Sequence, residues 1–361
     1  MNWKTSGAAL IIGVPLILSG CGFGGTSQTG QSNDGGQDVN YVSPGESLKM
    51  EGDDAEDHQT TNETKQQKTA TAKRTLFLLD SHGLVVPQTI ALPIPEGKEV
   101  LTQALQGLVK GGPLAGQLPK GFHALLPEGT QIKGVSLKDG TATINFSESF
   151  ANYEPKMEKE ILQAVTWTAT QFDNVKRVKL QIEGVEQSAM PVNNTPIGEN
   201  GVSRADGINE QIGEVGDVIG TSAATVYFPA QAGNDYYYVP VTTRVHAENG
   251  KIAAVIERLM KGAPEANGLL DVFGSGVKLK GKPAVEDGIV TLNFNEAIYS
   301  SKESRAISEE ALNALVLSLT SQEGIKKVAI MVNGKESLKS PKGEILSEPV
   351  SRPANVNTVG L

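Results

Sequence analysis

The side chains able to do chemistry are few, and they are scattered along the chain. Four histidines, His58, His82, His123 and His246, include no pair at i, i+4 and have no cysteine nearby, so they lack the spacing of a metal site. No serine sits in a Gly-x-Ser-x-Gly elbow, and Gly274-Ser275-Gly276 lacks the third glycine of a phosphate loop and reads as a turn. Two acids recur at an offset of 148 residues, Asp139 with Asp287 and Glu148 with Glu296. A glycosidase would need two carboxylates facing each other across a cleft. Asp139 and Asp287 precede glycines and read as turns, while Glu148 and Glu296 lie beyond the far end of the following strand, roughly 16 Å away at about 3.3 Å per residue. The expectation is a protein with no catalytic residues, no metal and no cofactor.

The single cysteine, Cys21, is placed for covalent work of another kind. Lys4 gives a positive start, residues 8–18 are apolar apart from Gly13 and Pro15, and the run ends in Leu18-Ser19-Gly20-Cys21. That apolar stretch is short of the ~20 residues needed to cross a bilayer, which makes residues 1–20 a signal peptide. Leu18, Ser19, Gly20 and Cys21 look like a bacterial lipobox. The likeness implies a diacylglyceryl group on the Cys21 thiol and cleavage before it, and two acyl chains give stable anchoring.

The chain of 361 residues is long enough for two domains. Its net charge of −9 is uneven: residues 22–72 carry nine acids against three bases, a balance of −6, and the remainder from Lys73 onward is only mildly acidic at −4. No basic footprint for nucleic acid is present. Residues 21–72 are rich in Gly, Ser, Thr, Gln, Asn and acids. Such a segment buries too little apolar surface to offset its ordering entropy. It reads as a disordered acidic tether with a reach of about 35–42 Å for roughly 50 residues.

Beyond the tether the sequence repeats itself. Val109-Lys110-Gly111-Gly112-Pro113 returns as Met260-Lys261-Gly262-Ala263-Pro264. Asp139-Gly140 with Thr143-Ile144-Asn145-Phe146 returns as Asp287-Gly288 with Thr291-Leu292-Asn293-Phe294. Val202-Ser203-Arg204 with Asn209 returns as Val350-Ser351-Arg352 with Asn357. Order and spacing hold throughout, which marks a duplication. Domain 1 is assigned to residues 73–209, a linker to 210–222 and domain 2 to 223–361.

Each copy predicts the same elements. Two extended segments come first (75–79 and 84–92; 225–228 and 236–245), with Pro87 or Pro240 in the second, which suits an edge. A helix follows, with Leu101, Ala104, Leu105 and Leu108, or Ile252, Val255, Ile256 and Leu259, on one face. Then come a hairpin turning at Asp-Gly, a second helix and a last strand. The fold class is α+β: two tandem small domains, each a mostly antiparallel sheet covered by two helices.

The set Leu108–Pro113, Leu126–Thr130, Asp139–Phe146, Val178–Gly184 and Val202-Ser203-Arg204, with its second-copy counterparts, resembles the GerM family of sporulation and germination lipoproteins with tandem GerMN domains. The resemblance covers nearly everything after the tether. It implies a lipoprotein of spore-forming bacteria on the outer face of the cytoplasmic membrane around the developing forespore. There it would bind other extracytoplasmic sporulation proteins and help assemble or position the mother cell–forespore channel complex. The domain is also similar to ring-building modules. The family has no known catalytic residues to carry over.

Five residues stand out as a possible interaction surface. Tyr236 and Tyr238 share one side of a strand, with Tyr237 pointing the other way. Arg244 has Ala91 as its counterpart. Arg204 and Arg352 are kept by both copies, which suits tying the last segment to a carboxylate, with Glu148 and Glu296 as candidates. The competing functional reading is a peptidoglycan-binding or wall-remodelling lipoprotein.

Overall fold

The computed structural model describes residues 70–358 apart from 96–98, 211–220, 249, 265–266 and 302. The signal peptide, the lipobox with Cys21, nearly all of the tether and most of the linker lie outside the described residues.

Each repeat opens with a hairpin. In the first, β1 (Thr71–Leu79) pairs antiparallel with β2 (Val85–Pro93). Asp80 builds the turn: its Oδ1 accepts from the amides of His82 and Leu84, each at 2.8 Å. Helix α1 (Val100–Gln106) buries the predicted stripe Leu101, Ala104 and Leu105. Strands β3 (Ile132–Lys138) and β4 (Thr141–Phe146) turn at Asp139 and Gly140, both at positive φ (49° and 76°), as a type I′ turn requires. Helix α2 (Glu158–Ala169) then crosses back, so β5 (Arg177–Ile182) runs parallel to β4. A short β6 (Val185–Gln187) completes a sheet ordered β3-β4-β5-β6.

The second repeat follows the same plan with β7 (Thr221–Ala232), β8 (Asp235–His246), α3 (Lys251–Met260), β9 (Ala284–Glu286), β10 (Ile289–Phe294), α4 (Glu309–Leu319), β11 (Lys327–Val332) and β12 (Val350–Ser351). Its sheet order is β12-β11-β10-β9, again with one parallel pair, β10 with β11. The fold is α+β, as expected. Each repeat divides its strands between a two-stranded hairpin and a four-stranded sheet, and the crossover helix makes the central pair parallel. The recurring Asn of Thr-Ile-Asn-Phe has a structural reason: Asn145 Oδ1 accepts from the Gly184 amide and Asn293 Oδ1 from the Gly334 amide, both at 2.9 Å.

A two-stranded hairpin cannot stand alone in water, because both of its outer edges present unpaired backbone groups. Side chains of the second helix cover the outer edge of β1 and β7. Thr168 Oγ1 accepts from the Phe77 amide at 3.0 Å, and Ser318 Oγ accepts from the Tyr227 amide at 2.8 Å. Gln171 bonds both backbone groups of Thr75, and Gln322 Nε2 donates to the Thr225 carbonyl at 3.0 Å.

The edges of β2 and β8 are covered reciprocally. The two repeats fall within one compact unit, and the seam between them is built from two asparagines. Asn209 bonds both backbone groups of Val85 (Oδ1 from N, 2.8 Å; Nδ2 to O, 2.7 Å) and reaches the Pro240 carbonyl of the other repeat at 2.8 Å. Asn357 does the same to Tyr238 (2.7 and 2.9 Å) and reaches Pro87 at 2.7 Å. Two residues further along each strand, the Thr89 amide donates to the Asn357 carbonyl (2.9 Å) and the Thr242 amide to the Ile208 carbonyl (2.8 Å). The two prolines lack an N–H and present only a carbonyl on this side, which is the group each asparagine needs. Both asparagines sit at positive φ (46° and 56°), which this side chain tolerates. Tyr237 adds to the seam: its hydroxyl donates to Asp80 Oδ2 at 2.9 Å, and its ring meets Phe122 edge-on, with centroids 5.2 Å apart.

One buried carboxylate organises the first repeat. Glu158 is fully buried at the start of α2. Its Oε2 accepts from the Tyr153 hydroxyl (2.8 Å) and from the amides of Val192 (3.0 Å) and Asn193 (2.6 Å), and its Oε1 from the Thr195 amide (2.9 Å). Burial alone would push the carboxyl up. The bonds from Thr195, Asn193 and Tyr153 outweigh it and hold the group at about 2. The second copy replaces this device with Ser308, whose side chain accepts from the Ala311 amide as an ordinary helix cap.

Two predictions follow from these contacts. Asn209→Ala or Asn357→Ala strips partners from buried backbone groups of both repeats, so each lowers unfolding free energy by about 3 kcal/mol in denaturant titration; a loss below ~0.5 kcal/mol would remove the clamp. Glu158 has a folded pKa below its ordinary value of 4.5, so its contribution is complete above pH 4.5 and disappears as the pH falls toward 2. Glu158→Gln should therefore be less stable than the parent at pH 7, by at most about 3 kcal/mol, with the difference shrinking between pH 4.5 and 2; a pH-independent difference would contradict this assignment.

Candidate functional site: the cleft between the repeats

Arg204 and Arg352 do not tie down carboxylates. Each leads away from its last segment to the C-terminal end of the second helix in its own repeat, where unpaired carbonyls and the negative end of the helix dipole favour a cation. Arg204 Nε donates to Thr170 Oγ1 (2.9 Å) and Nη2 to the Trp167 carbonyl (3.4 Å). Its guanidinium carbon lies 4.6 Å from the Trp167 ring centroid and 5.9 Å from that of Phe77. Arg352 Nη1 donates to the Leu317 carbonyl (3.0 Å), Thr320 Oγ1 (3.2 Å) and Ser321 Oγ (3.1 Å), while Nη2 donates to the Tyr227 hydroxyl at 3.0 Å. It lies 5.2 Å above the Tyr227 ring.

Arg204 is held in place from the backbone side. Ser203 and Asp206 form a capping box, with the Ser203 amide donating to Asp206 Oδ2 at 2.7 Å and Ser203 Oγ accepting from the Ala205 amide at 3.2 Å. Neither Glu148 nor Glu296 meets these arginines among the described contacts. The Glu148 amide donates to Glu183, which also pairs with Lys133, and Glu296 accepts from Asn333 Nδ2 at 3.1 Å.

The two arginines converge on one cleft of about 450 Å³ between the repeats, with Trp167, Thr242, Lys251 and Glu323 also on its walls. Burial lowers the Arg204 pKa, and repulsion from Arg352 adds to that, while Tyr227 opposes it. Burial would push the Tyr227 hydroxyl up, yet the guanidiniums of Arg352 and Arg204 bring it below its ordinary value. With Arg204, Arg352 and Lys251 against Glu323, the lining of the cleft carries an excess of positive charge.

The other expected surface residues have different places. Tyr238 is buried, with its hydroxyl accepting from Asn313 Nδ2 at 3.0 Å, so it is core rather than surface. Tyr236 is 43% exposed. Arg244 braces the β7–β8 ladder, Nε donating to Thr221 Oγ1 (2.6 Å) and Nη2 to the Thr221 carbonyl (3.0 Å). Leu18, Ser19, Gly20 and Cys21 lie outside the described residues. Trp167, Tyr227 and Lys251 escaped sequence reasoning; the recurrence of Arg204 and Arg352 was the one available signal. Among the described residues no three His, Cys, Asp or Glu side chains are grouped to hold a metal, and no helix is long and apolar enough to cross a membrane.

With this geometry in hand, comparison with known proteins is specific. The model of the Germane family, described as "Sporulation and spore germination", matches residues 75–188 and again 225–338. The spore germination protein GerM of Bacillus subtilis (strain 168) is 43% identical over 349 residues, which cover 95% of this chain and 94% of the relative. The solved tandem GerMN domains of the sporulation protein GerM from Bacillus subtilis superpose with a TM-score of 0.74 at 45% identity, covering 80% of this chain and 100% of that one. On the strength of a family match in both repeats and a relative similar over nearly its whole length, the chain belongs to the Germane family of sporulation and spore germination proteins.

Proposed function

We propose that this protein is a non-catalytic lipoprotein, anchored through diacylglyceryl on Cys21 to the outer face of the cytoplasmic membrane around the forespore. It helps assemble or position the channel complex between mother cell and forespore by binding other extracytoplasmic sporulation proteins. The observation that carries this reading is the extent of the similarity. A match over 95% of the chain cannot be confined to the two repeats, so it extends into the segment that precedes them.

The sheets suggest how partners are held. The edge strands β6 and β9 display Val185 (64% exposed) and Val285 (53% exposed), and unpaired edges with apolar side chains are suited to strand addition by another protein.

The test is a Cys21→Ala variant, expressed as a fluorescent fusion in a sporulating host that lacks the native copy. The reading predicts that the fusion leaves the forespore membrane and that the yield of heat-resistant spores falls. Normal spore yield with even labelling of the vegetative membrane would contradict it. Saturable co-sedimentation of the purified repeats with peptidoglycan would instead favour the wall-binding reading.

A further inference from the structure

Arg204 and Arg352 meet in the inter-repeat cleft without a carboxylate partner: none of the ion pairs among the described residues involves either of them or Lys251. Placing two like charges in a shared, partly buried space is costly unless something compensates them. Their hydrogen-bond inventory shows where that compensation can act. Arg204 uses Nε and Nη2, leaving Nη1 without a protein acceptor, and Arg352 uses Nη1 and Nη2, leaving Nε. The aromatic and hydroxyl partners that grip each guanidinium therefore fix its orientation while keeping donors available. The cleft, at about 450 Å³, has room for a small tetrahedral anion with its hydration water. Lys251 on the rim adds a third positive charge, against the single carboxylate of Glu323.

We propose that this cleft binds a phosphate-type oxyanion, bridged by Arg204 from one repeat and Arg352 from the other, with Lys251 at its mouth. Pre-oriented guanidinium forks match the geometry of phosphate better than a flexible ammonium does. Each repeat supplies one arginine, so the anion would join the repeats at a second place, beyond the asparagine seam. Binding to the folded state alone then appears as added stability that saturates with concentration.

The experiment is thermal unfolding of the purified tether-free chain in inorganic phosphate, with chloride at matched ionic strength as control and glycerol phosphate as a third arm. Saturable stabilisation by inorganic phosphate, absent in chloride, is expected. Equal or stronger stabilisation by glycerol phosphate would assign the site to an esterified phosphate, such as a headgroup or polymer end, and a weaker effect to the free ion. Lys251→Gln, on the exposed rim, should leave the phosphate-free melting temperature unchanged and weaken the apparent affinity about tenfold, the equivalent of one charge-assisted contact. Arg352→Lys keeps the charge but loses the fork, and should weaken binding further. Identical melting in phosphate and chloride, or an unaltered phosphate response in Lys251→Gln, would overturn the proposal.

Discussion

The structure depends on closing the open edges of two hairpins that could not survive alone. β2 and β8 each carry a proline that removes one donor and leaves carbonyls facing outward. Each edge is closed by the tail of its own repeat, and the same tail reaches across to the other. Asn209 and Asn357 complete this exchange with three short hydrogen bonds apiece. Because the contacts are reciprocal, neither edge is satisfied without the other repeat. The duplication thus produced one cooperative body rather than two beads on a string.

That arrangement also explains the position of the two arginines. The tails that carry Asn209 and Asn357 carry Arg204 and Arg352 five residues earlier, so bringing the tails together draws the arginines into a common cleft. Each arginine first serves its own repeat by closing a helix end. Its meeting with the other is a consequence of the seam. Structural and binding roles therefore draw on the same side chains, and the electropositive cleft exists only when both repeats are docked.

Much of this fold was legible from the residues. The i, i+3, i+4 stripe of Leu101, Ala104 and Leu105 lies buried as its spacing required, and the Asp139-Gly140 and Asp287-Gly288 turns have the positive φ values that such dipeptides favour. Pro87 and Pro240 mark edges, as their missing N–H implies, but nothing in the sequence shows that those edges are met by Asn357, 270 residues from Pro87, and by Asn209, 31 residues from Pro240. Pairing Arg204 with Glu148 went wrong for a related reason. A recurring cation suggests an anion, whereas helix carbonyls, hydroxyls and an aromatic face satisfied it instead. Tyr238 was placed on the surface because strand alternation leaves two faces open, and here the helix layer buries one and the partner repeat the other. Glu158 gave no signal at all: a glutamate at a helix start is common, and only the folded loop around Asn193 and Thr195 makes it a buried anchor.

The central claim is that each repeat completes the other's hairpin. Native-state hydrogen exchange tests it most directly, by following the amides of Thr89 and Thr242 in the parent and in Asn357→Ala. Thr89 donates to the tail of the second repeat and Thr242 to the tail of the first. If the repeats are interlocked, both amides exchange only through global unfolding, and removing the Asn357 side chain lowers their protection together. Loss of protection at one amide while the other keeps its parent value would mean that the repeats open independently, and would contradict this account.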